Sequence, residues 1–135
     1  MLRIEHIGIA VKDLTVSIPL FAKLLDCPCY KTELVESEKV NTAFFKKGET
    51  KIELLESTVP DGVFATYLQT RGEGIHHLAF EVSDVRAEME RLKAEGFIVL
   101  NDLPKPGADN KMVCFLHPKS TNGVLIELCQ EINRH

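Results

Sequence analysis

Two histidines and two glutamates recur at matched places in this chain of 135 residues. His6 and His77 each open a short apolar run that leads to an Asp, and Glu53 and Glu127 each lie inside another apolar run. Seventy-one residues separate the two histidines, and 74 separate the two glutamates. This spacing predicts one duplicated unit, with one His and one Glu in each copy.

Alternation along the predicted strands decides which way these side chains point, because neighbouring side chains of a strand lie on opposite faces. Ile7, Ile9 and Val11 define one packed face, so His6 points the other way. The same parity separates the remaining three from their apolar neighbours: His77 from Leu78 and Phe80, Glu53 from Ile52 and Leu54, and Glu127 from Ile126 and Leu128. All four therefore share one kind of face.

If the two copies are related by pseudo-two-fold symmetry, these faces enclose a cavity and the four side chains converge. A single His or Glu on a strand is usually solvated or hydrogen bonded, so the hypothesis depends on the matched parity in both copies. Two imidazoles and two carboxylates suit a divalent ion of the cobalt, manganese, zinc or iron group, with open positions for a substrate. We predict a metal site formed by His6, Glu53, His77 and Glu127.

Each copy reads as a strand, a helix and three further strands. The first has strands over residues 2–11 and near 28–36, 40–47 and 50–57. Asp13 or Thr15 caps its helix, and Pro19 within the helical pattern predicts a late helix start or a kink. A short helix between Asp61 and Gln69 links the copies.

The second copy has strands over residues 74–82 and near 97–102, 111–117 and 122–131, with a helix that Ser83 opens and Gly96 ends. We therefore predict an α+β fold in which two paired βαβββ modules form an open, cupped mixed sheet around a metal site. It would be a single domain over residues 1–135, with module 1 at about 1–58, the linker helix at about 59–72 and module 2 at about 73–135.

Composition excludes several function classes. With 44% hydrophobic and 27% charged residues, the chain is typical of a globular protein. No apolar run is long enough for a membrane span, and no signal peptide is recognisable, so we expect a cytoplasmic protein. A net charge of −4 with scattered Lys and Arg favours small-molecule chemistry over a nucleic-acid or membrane partner. The four cysteines, Cys27, Cys29, Cys114 and Cys129, are predicted to be reduced thiols.

Along essentially its whole length the sequence resembles the vicinal-oxygen-chelate superfamily, and within it the methylmalonyl-CoA epimerase family. The stretches that carry the resemblance are His6–Val11, Gly48–Glu56, Gly74–Ala79, Phe115–Lys119 and Gly123–Leu128. The last two, in this order and spacing, are specific to the epimerase branch.

The resemblance implies paired modules, often in a homodimer, that hold a divalent metal ion between the two halves. Cobalt is the first expectation, and manganese, zinc and nickel are alternatives. It implies His6, His77 and Glu127 as ligands, with Glu53 at a position where relatives have Gln or Glu. The implied reaction interconverts (R)- and (S)-methylmalonyl-CoA, an acyl-CoA thioester, by metal-assisted 1,1-proton transfer at C2 through an enolate.

Such a reaction needs a base on each face of the planar enolate. In the family one base is a Glu before the second strand, and the other is the metal-bound Glu of the last strand, here Glu127. The first base falls where Glu36 and Glu38 have the same parity. We favour Glu38 and keep Glu36 as the alternative.

Two further histidines are predicted to be structural. His76 lies on the packed side of its strand by parity. His117 precedes Pro118, so it is expected in a turn, with a place at the coenzyme entrance as the alternative.

Other functions on the same scaffold stay open. A glyoxalase I-like lyase would act on a glutathione hemithioacetal, and an iron dioxygenase would need two His, one Glu and open positions for oxygen. A fourth protein ligand leaves less room for oxygen and substrate together. A non-catalytic small-molecule-binding member of the fold is disfavoured because every ligand position is retained. Metal content separates binding proteins from enzymes, and substrate exchange separates the enzymes.

Overall fold

The computed structural model describes residues 1–132, so residues 133–135 of the predicted second module lie outside the described residues. Residues 6–76 form one compact unit, called here the first unit, and residues 1–5 with those from 77 onward form the second unit. The elements in chain order are β1 (Arg3–Ala10), α1 (Leu14–Leu25), β2 (Lys31–Val35), β3 (Val40–Lys47), β4 (Thr50–Ser57), α2 (Val63–Arg71), β5 (Gly74–Glu81), α3 (Val85–Ala94), β6 (Lys105–Gly107), β7 (Lys111–Leu116) and β8 (Ile126–Glu131).

Strand pairing repeats between the two βαβββ modules. In the first, the strands lie in the order β2-β3-β4-β1, with β3 antiparallel to both neighbours and β1 parallel to β4. In the second, the order is β6-β7-β8-β5, with β7 antiparallel to both neighbours and β5 parallel to β8. The predicted α+β class, mixed strand pairing and duplicated module are confirmed, and the single-domain organisation stays a prediction.

Helix α1 begins at Leu14, so the predicted late start is wrong. Asp13 is the N-cap, and its Oδ1 accepts hydrogen bonds from Thr15 N at 2.9 Å and Thr15 Oγ1 at 2.7 Å. Leu14 N donates to Glu56 Oε2 at 2.8 Å. These acceptors satisfy the first turn, and Pro19 is accommodated inside the helix although it has no N–H to donate.

Helix α3 begins in the same way, one residue after the predicted start. Its N-cap is Asp84 and not Ser83, and Asp84 Oδ1 accepts from Ala87 N at 3.1 Å. Val85 N donates to Gln130 Oε1 at 2.8 Å. Gln130 of β8 thus accepts a hydrogen bond from the first turn of α3, as Glu56 of β4 does from the first turn of α1. The repeat therefore includes the start of each helix.

The second strand of the second module in chain order is β6, which replaces the strand predicted near residues 97–102. Phe97 and Val99 pack instead against the core beside α3, and Val99 forms only an isolated bridge with Leu116. The alternating apolar side chains of this segment therefore contribute to the packing of the core and not to a regular β-ladder. The last strand begins at Ile126, later than the predicted 122.

Each unit has its own apolar core between helix and strands. In the first it comprises Val11, Leu14, Ala43, Phe45 and Leu54. In the second it comprises Val82, Val85, Met89, Leu92, Cys114, Leu116 and Leu128. These residues occupy the strand face predicted to be packed, which leaves the opposite face for the polar side chains. Within residues 1–132, no helix is long and apolar enough to cross a membrane.

Candidate functional site

In the first unit, β1 and β4 hold a histidine and a glutamate side by side. These parallel strands pair Gly8 with Glu53, which places the carboxylate beside the imidazole two residues earlier on β1. His6 Nδ1 lies 3.2 Å from Glu53 Oε2, and the two side chains are only 5% and 3% exposed. Both side chains therefore lie on one face, as strand parity predicts.

In the second unit, β5 and β8 build the same pair. The register joins Ala79 to Glu127, the counterpart of the pairing in the first unit. His77 Nε2 lies 3.2 Å from Glu127 Oε1, and both side chains are 7% exposed. The Phe115 ring meets the His77 ring edge-on, with 6.0 Å between centroids.

The chemistry of this donor set suits a divalent metal ion. Burying carboxylates is costly unless their charge is compensated, and a cation beside an imidazole and a carboxylate supplies that compensation. His6, His77 and Glu127 each offer one ligand atom suited to a metal ion. Both ligand types are those of zinc, cobalt and manganese sites. The assignment of these residues as ligands stays a prediction.

Burial also changes the pKa of a thiol near the second pair. Desolvation raises the pKa of Cys114 to about 11, and the negative charge of Glu127 adds to the effect. All four cysteines are free, as predicted.

The turn between β2 and β3 distinguishes the two candidate bases. Glu36 is exposed, whereas Glu38 is half-buried and its carboxylate Oε1 is shielded from solvent. The turn is closed by Glu38 N donating to Val35 O at 3.2 Å, and Lys39 has a left-handed φ of 55°. Parity along a strand does not apply in such a turn, so the sequence could not separate the two glutamates.

His76 and His117 have structural surroundings, as predicted. The His76 ring packs edge-on against Phe64 and Tyr67 of α2, with centroid distances of 5.0 and 4.5 Å. His117 Nδ1 accepts a hydrogen bond from Lys119 N at 2.9 Å and so holds a 3-10 turn.

A lysine on β2, which was not among the predicted site residues, lies on the same strand face as Glu53. Lys31 Nζ lies 4.8 Å from the centre of the Phe44 ring, and Phe44 is the cross-strand partner of Glu53. In the second unit Lys105 Nζ lies 5.9 Å from the Phe115 ring. Lys31 lies within a predicted strand, whereas Lys105 lies on β6, outside the predicted strands.

Comparison with known families agrees with this arrangement. The sequence model of the Glyoxalase/Bleomycin resistance protein/Dioxygenase superfamily matches residues 5–115. The chain belongs to this superfamily.

Relatives of this superfamily member include epimerases. The chain is 38% identical to the ethylmalonyl-CoA/methylmalonyl-CoA epimerase of Cereibacter sphaeroides, covering 95% of this chain and 97% of the relative. It is 35% identical to the mitochondrial methylmalonyl-CoA epimerase of Homo sapiens, covering 95% and 73%. A solved structure of a Streptomyces coelicolor methylmalonyl-CoA epimerase variant with 2-nitronate-propionyl-CoA superposes with a TM-score of 0.93 at 34% identity, covering 98% and 99%.

Proposed function

We propose that this superfamily member is a metal-dependent methylmalonyl-CoA epimerase. It would interconvert (R)- and (S)-methylmalonyl-CoA by removing and returning the proton at C2. The observation that carries the proposal is the buried His–Glu pair at the same register in both units. Similarity to epimerases over nearly the whole chain supports the choice of substrate.

The two pairs together would hold one divalent ion. Each pair supplies two donors, whereas catalytic metal sites generally use three or four protein ligands. We therefore assign His6, Glu53, His77 and Glu127 to a single site, with cobalt as the first candidate and manganese, zinc or nickel as alternatives. When bound, such an ion would stabilise the negative charge that develops on the substrate oxygens as C2 loses its proton.

Two carboxylates would exchange the proton on opposite faces of the enolate. A C–H bond between a thioester and a carboxylate gives up its proton to one base, and the other base returns a proton to the opposite face. Glu38 is assigned to one face because its carboxylate is partly withdrawn from water, unlike that of Glu36. Glu127 is assigned to the other face. No net proton is gained or lost in the cycle.

The substrate would be an acyl-CoA thioester and the working form a homodimer. A dimer is consistent with the closed symmetry that is usual for soluble enzymes.

Exchange of the C2 proton tests the function directly. Proton NMR of methylmalonyl-CoA in D2O with metal-loaded protein should show rapid loss of the C2 signal. Glu38→Gln and Glu127→Gln should each slow exchange by about 10² to 10⁴. The matched variant Glu36→Gln should exchange like the wild type.

Each contrary result has a defined meaning. Exchange no faster than in a chelator-treated sample would refute the epimerase, and glutathione hemithioacetals would be assayed next. Loss of exchange in Glu36→Gln with full exchange in Glu38→Gln would move the first base to Glu36.

A further inference from the structure

Helix α1 has an apolar outer face. Val16, Leu20 and Leu24 are spaced four residues apart, so they form one row along the helix, called here the α1 stripe. Their exposed fractions are 64%, 59% and 70%, although the opposite side of the helix packs on the first unit's core. Pro19, beside the stripe, is exposed as well. A helix on the surface of a globular protein normally presents polar side chains to water, so this face calls for a partner.

The equivalent helix of the second unit has a polar outer face. Both α1 and α3 follow an Asp N-cap, which aligns the two helices residue by residue. In α3 and its C-cap, the positions of the α1 stripe are occupied by one small and two charged residues, all exposed: Ala87, Arg91 and Glu95. Arg91 also pairs with Glu88 one turn earlier. The module therefore folds with a solvated helix, and packing within the first unit does not require an apolar outer face on α1.

Each end of α1 carries one exposed lysine and one exposed aspartate. Lys12 and Asp13 precede the helix, and Lys23 and Asp26 lie at its C-terminal end. If two copies of α1 run antiparallel, the lysine at each end lies opposite the aspartate of the other copy, and the two helix dipoles also attract each other. Parallel copies would instead bring like charges together. The charges of this helix are thus complementary to those of its own antiparallel copy.

We propose that the α1 stripe packs against the α1 stripe of a second copy of the chain, in an antiparallel pair with a two-fold axis at Leu20. This inference rests on the homodimer that is part of the proposed function. In a two-fold contact Leu20 meets its own copy, and Val16 meets the copy of Leu24. The stripe is symmetric about its middle residue, as such a contact requires. The opposite charges at the helix ends then lie within about one helical turn of each other.

A stable dimer needs more surface than one helix offers. Standard interfaces cover about 800 Å² on each partner, whereas α1, with 12 residues, is only about 18 Å long. A further apolar residue lies on the same side of the sheet. Leu34 of β2 is 53% exposed and pairs with Asn41, which shares a strand face with Ala43 in the core beneath α1. We therefore place α1 at the centre of the interface and Leu34 toward its margin.

The mass of the protein in solution tests this pairing. Sedimentation equilibrium of the wild type should give two chains per particle. Leu20→Glu places two like charges at the axis of the contact, so the dimer dissociation constant should rise by about 100-fold or more. Ala87→Glu adds the same charge to the outer face of α3 and should leave the constant within about twofold. Because Leu20 lies outside the first unit's core, Leu20→Glu should keep the circular dichroism spectrum of the wild type.

Disulfide formation tests the position of the axis. In the proposed pair, Leu20→Cys brings two thiols within disulfide reach, whereas the two thiols of Val16→Cys are separated by about 12 Å along the helices. On oxidation in air, Leu20→Cys should therefore form a covalent dimer through the introduced thiol about tenfold faster than Val16→Cys or more. Mass spectrometry of the linked peptides separates this product from links through the native cysteines.

Each contrary result identifies what is wrong. An unchanged dimer in Leu20→Glu, an equal loss of dimer in Ala87→Glu, or equal cross-linking at both positions would overturn the inference. A wild type that stays monomeric would overturn it together with the proposed homodimer, and another macromolecule would then be the candidate occupant of this face. The epimerase is tested separately by exchange of the C2 proton, so a dimer that loses its mass in Leu20→Glu but exchanges no proton would refute the epimerase and keep this inference.

Discussion

The sharing of one metal ion by the two His–Glu pairs can be tested by disabling one pair at a time. His6→Ala removes an imidazole from the first unit, and His77→Ala removes one from the second. If both pairs hold the same ion, either change should weaken metal binding to the whole protein. If each pair bound its own ion, each variant would keep the other site intact.

The expected change in Tm follows from the linkage between metal binding and folding. Metal at 100 times its Kd stabilises the folded chain by about 2.7 kcal/mol. For a domain of this length that is a rise in Tm of about 10 °C. The imidazoles of His6 and His77 are buried, at 5% and 7% exposure, so water cannot readily replace them as ligands. If the loss of one weakens binding 100-fold, the same metal concentration contributes only about 0.4 kcal/mol, or about 1–2 °C.

Thermal scans with and without excess cobalt measure the metal-induced rise in Tm. Metal analysis of the loaded protein measures the number of ions per chain. The wild type should carry one ion per chain. His117→Ala is the matched control, because His117 holds a 3-10 turn by accepting from Lys119 N and lies in neither pair. Two ions per chain, or a full cobalt-induced rise in Tm in either pair variant, would refute a shared site.

Three further predictions concern stability and reactivity. Leu128→Ala should lower the free energy of unfolding by about 2–5 kcal/mol in urea denaturation, because Leu128 is 0% exposed in the second unit's core. Native protein treated with iodoacetamide at pH 8 should be alkylated at Cys27 and not at Cys114, since burial raises the pKa of Cys114 to about 11; peptide mass spectrometry checks this. The hydrogen bond from Arg91 lowers the pKa of Glu88 in the folded protein. The stability that this hydrogen bond contributes is therefore present above the unfolded-state pKa of Glu88 and is lost as the pH falls through its folded-state pKa. Glu88→Gln should reduce the free energy of unfolding by less than about 1 kcal/mol at pH 7 and should leave it unchanged at pH 2.

Sequence periodicity predicted those elements whose side chains alternate cleanly. The strands β3 and β4 match the predicted ranges 40–47 and 50–57 because Gly48, with a φ of 62°, marks the turn between them. Strand β6 was not predictable in this way. It contains Pro106 and Gly107, and its position depends on pairing with β7, which is a tertiary contact.

The prediction of a late start for α1 was wrong for a related reason. Pro19 is a local signal against a helix, but the Glu56 carboxylate that accepts Leu14 N comes from a strand 42 residues later in the chain. A side chain so distant in sequence cannot be read from a local pattern.

The site was more predictable than the helix start because duplication doubles the evidence. A lone His on a strand carries little information, whereas His6 and His77 recur with the same parity and the same glutamate neighbour.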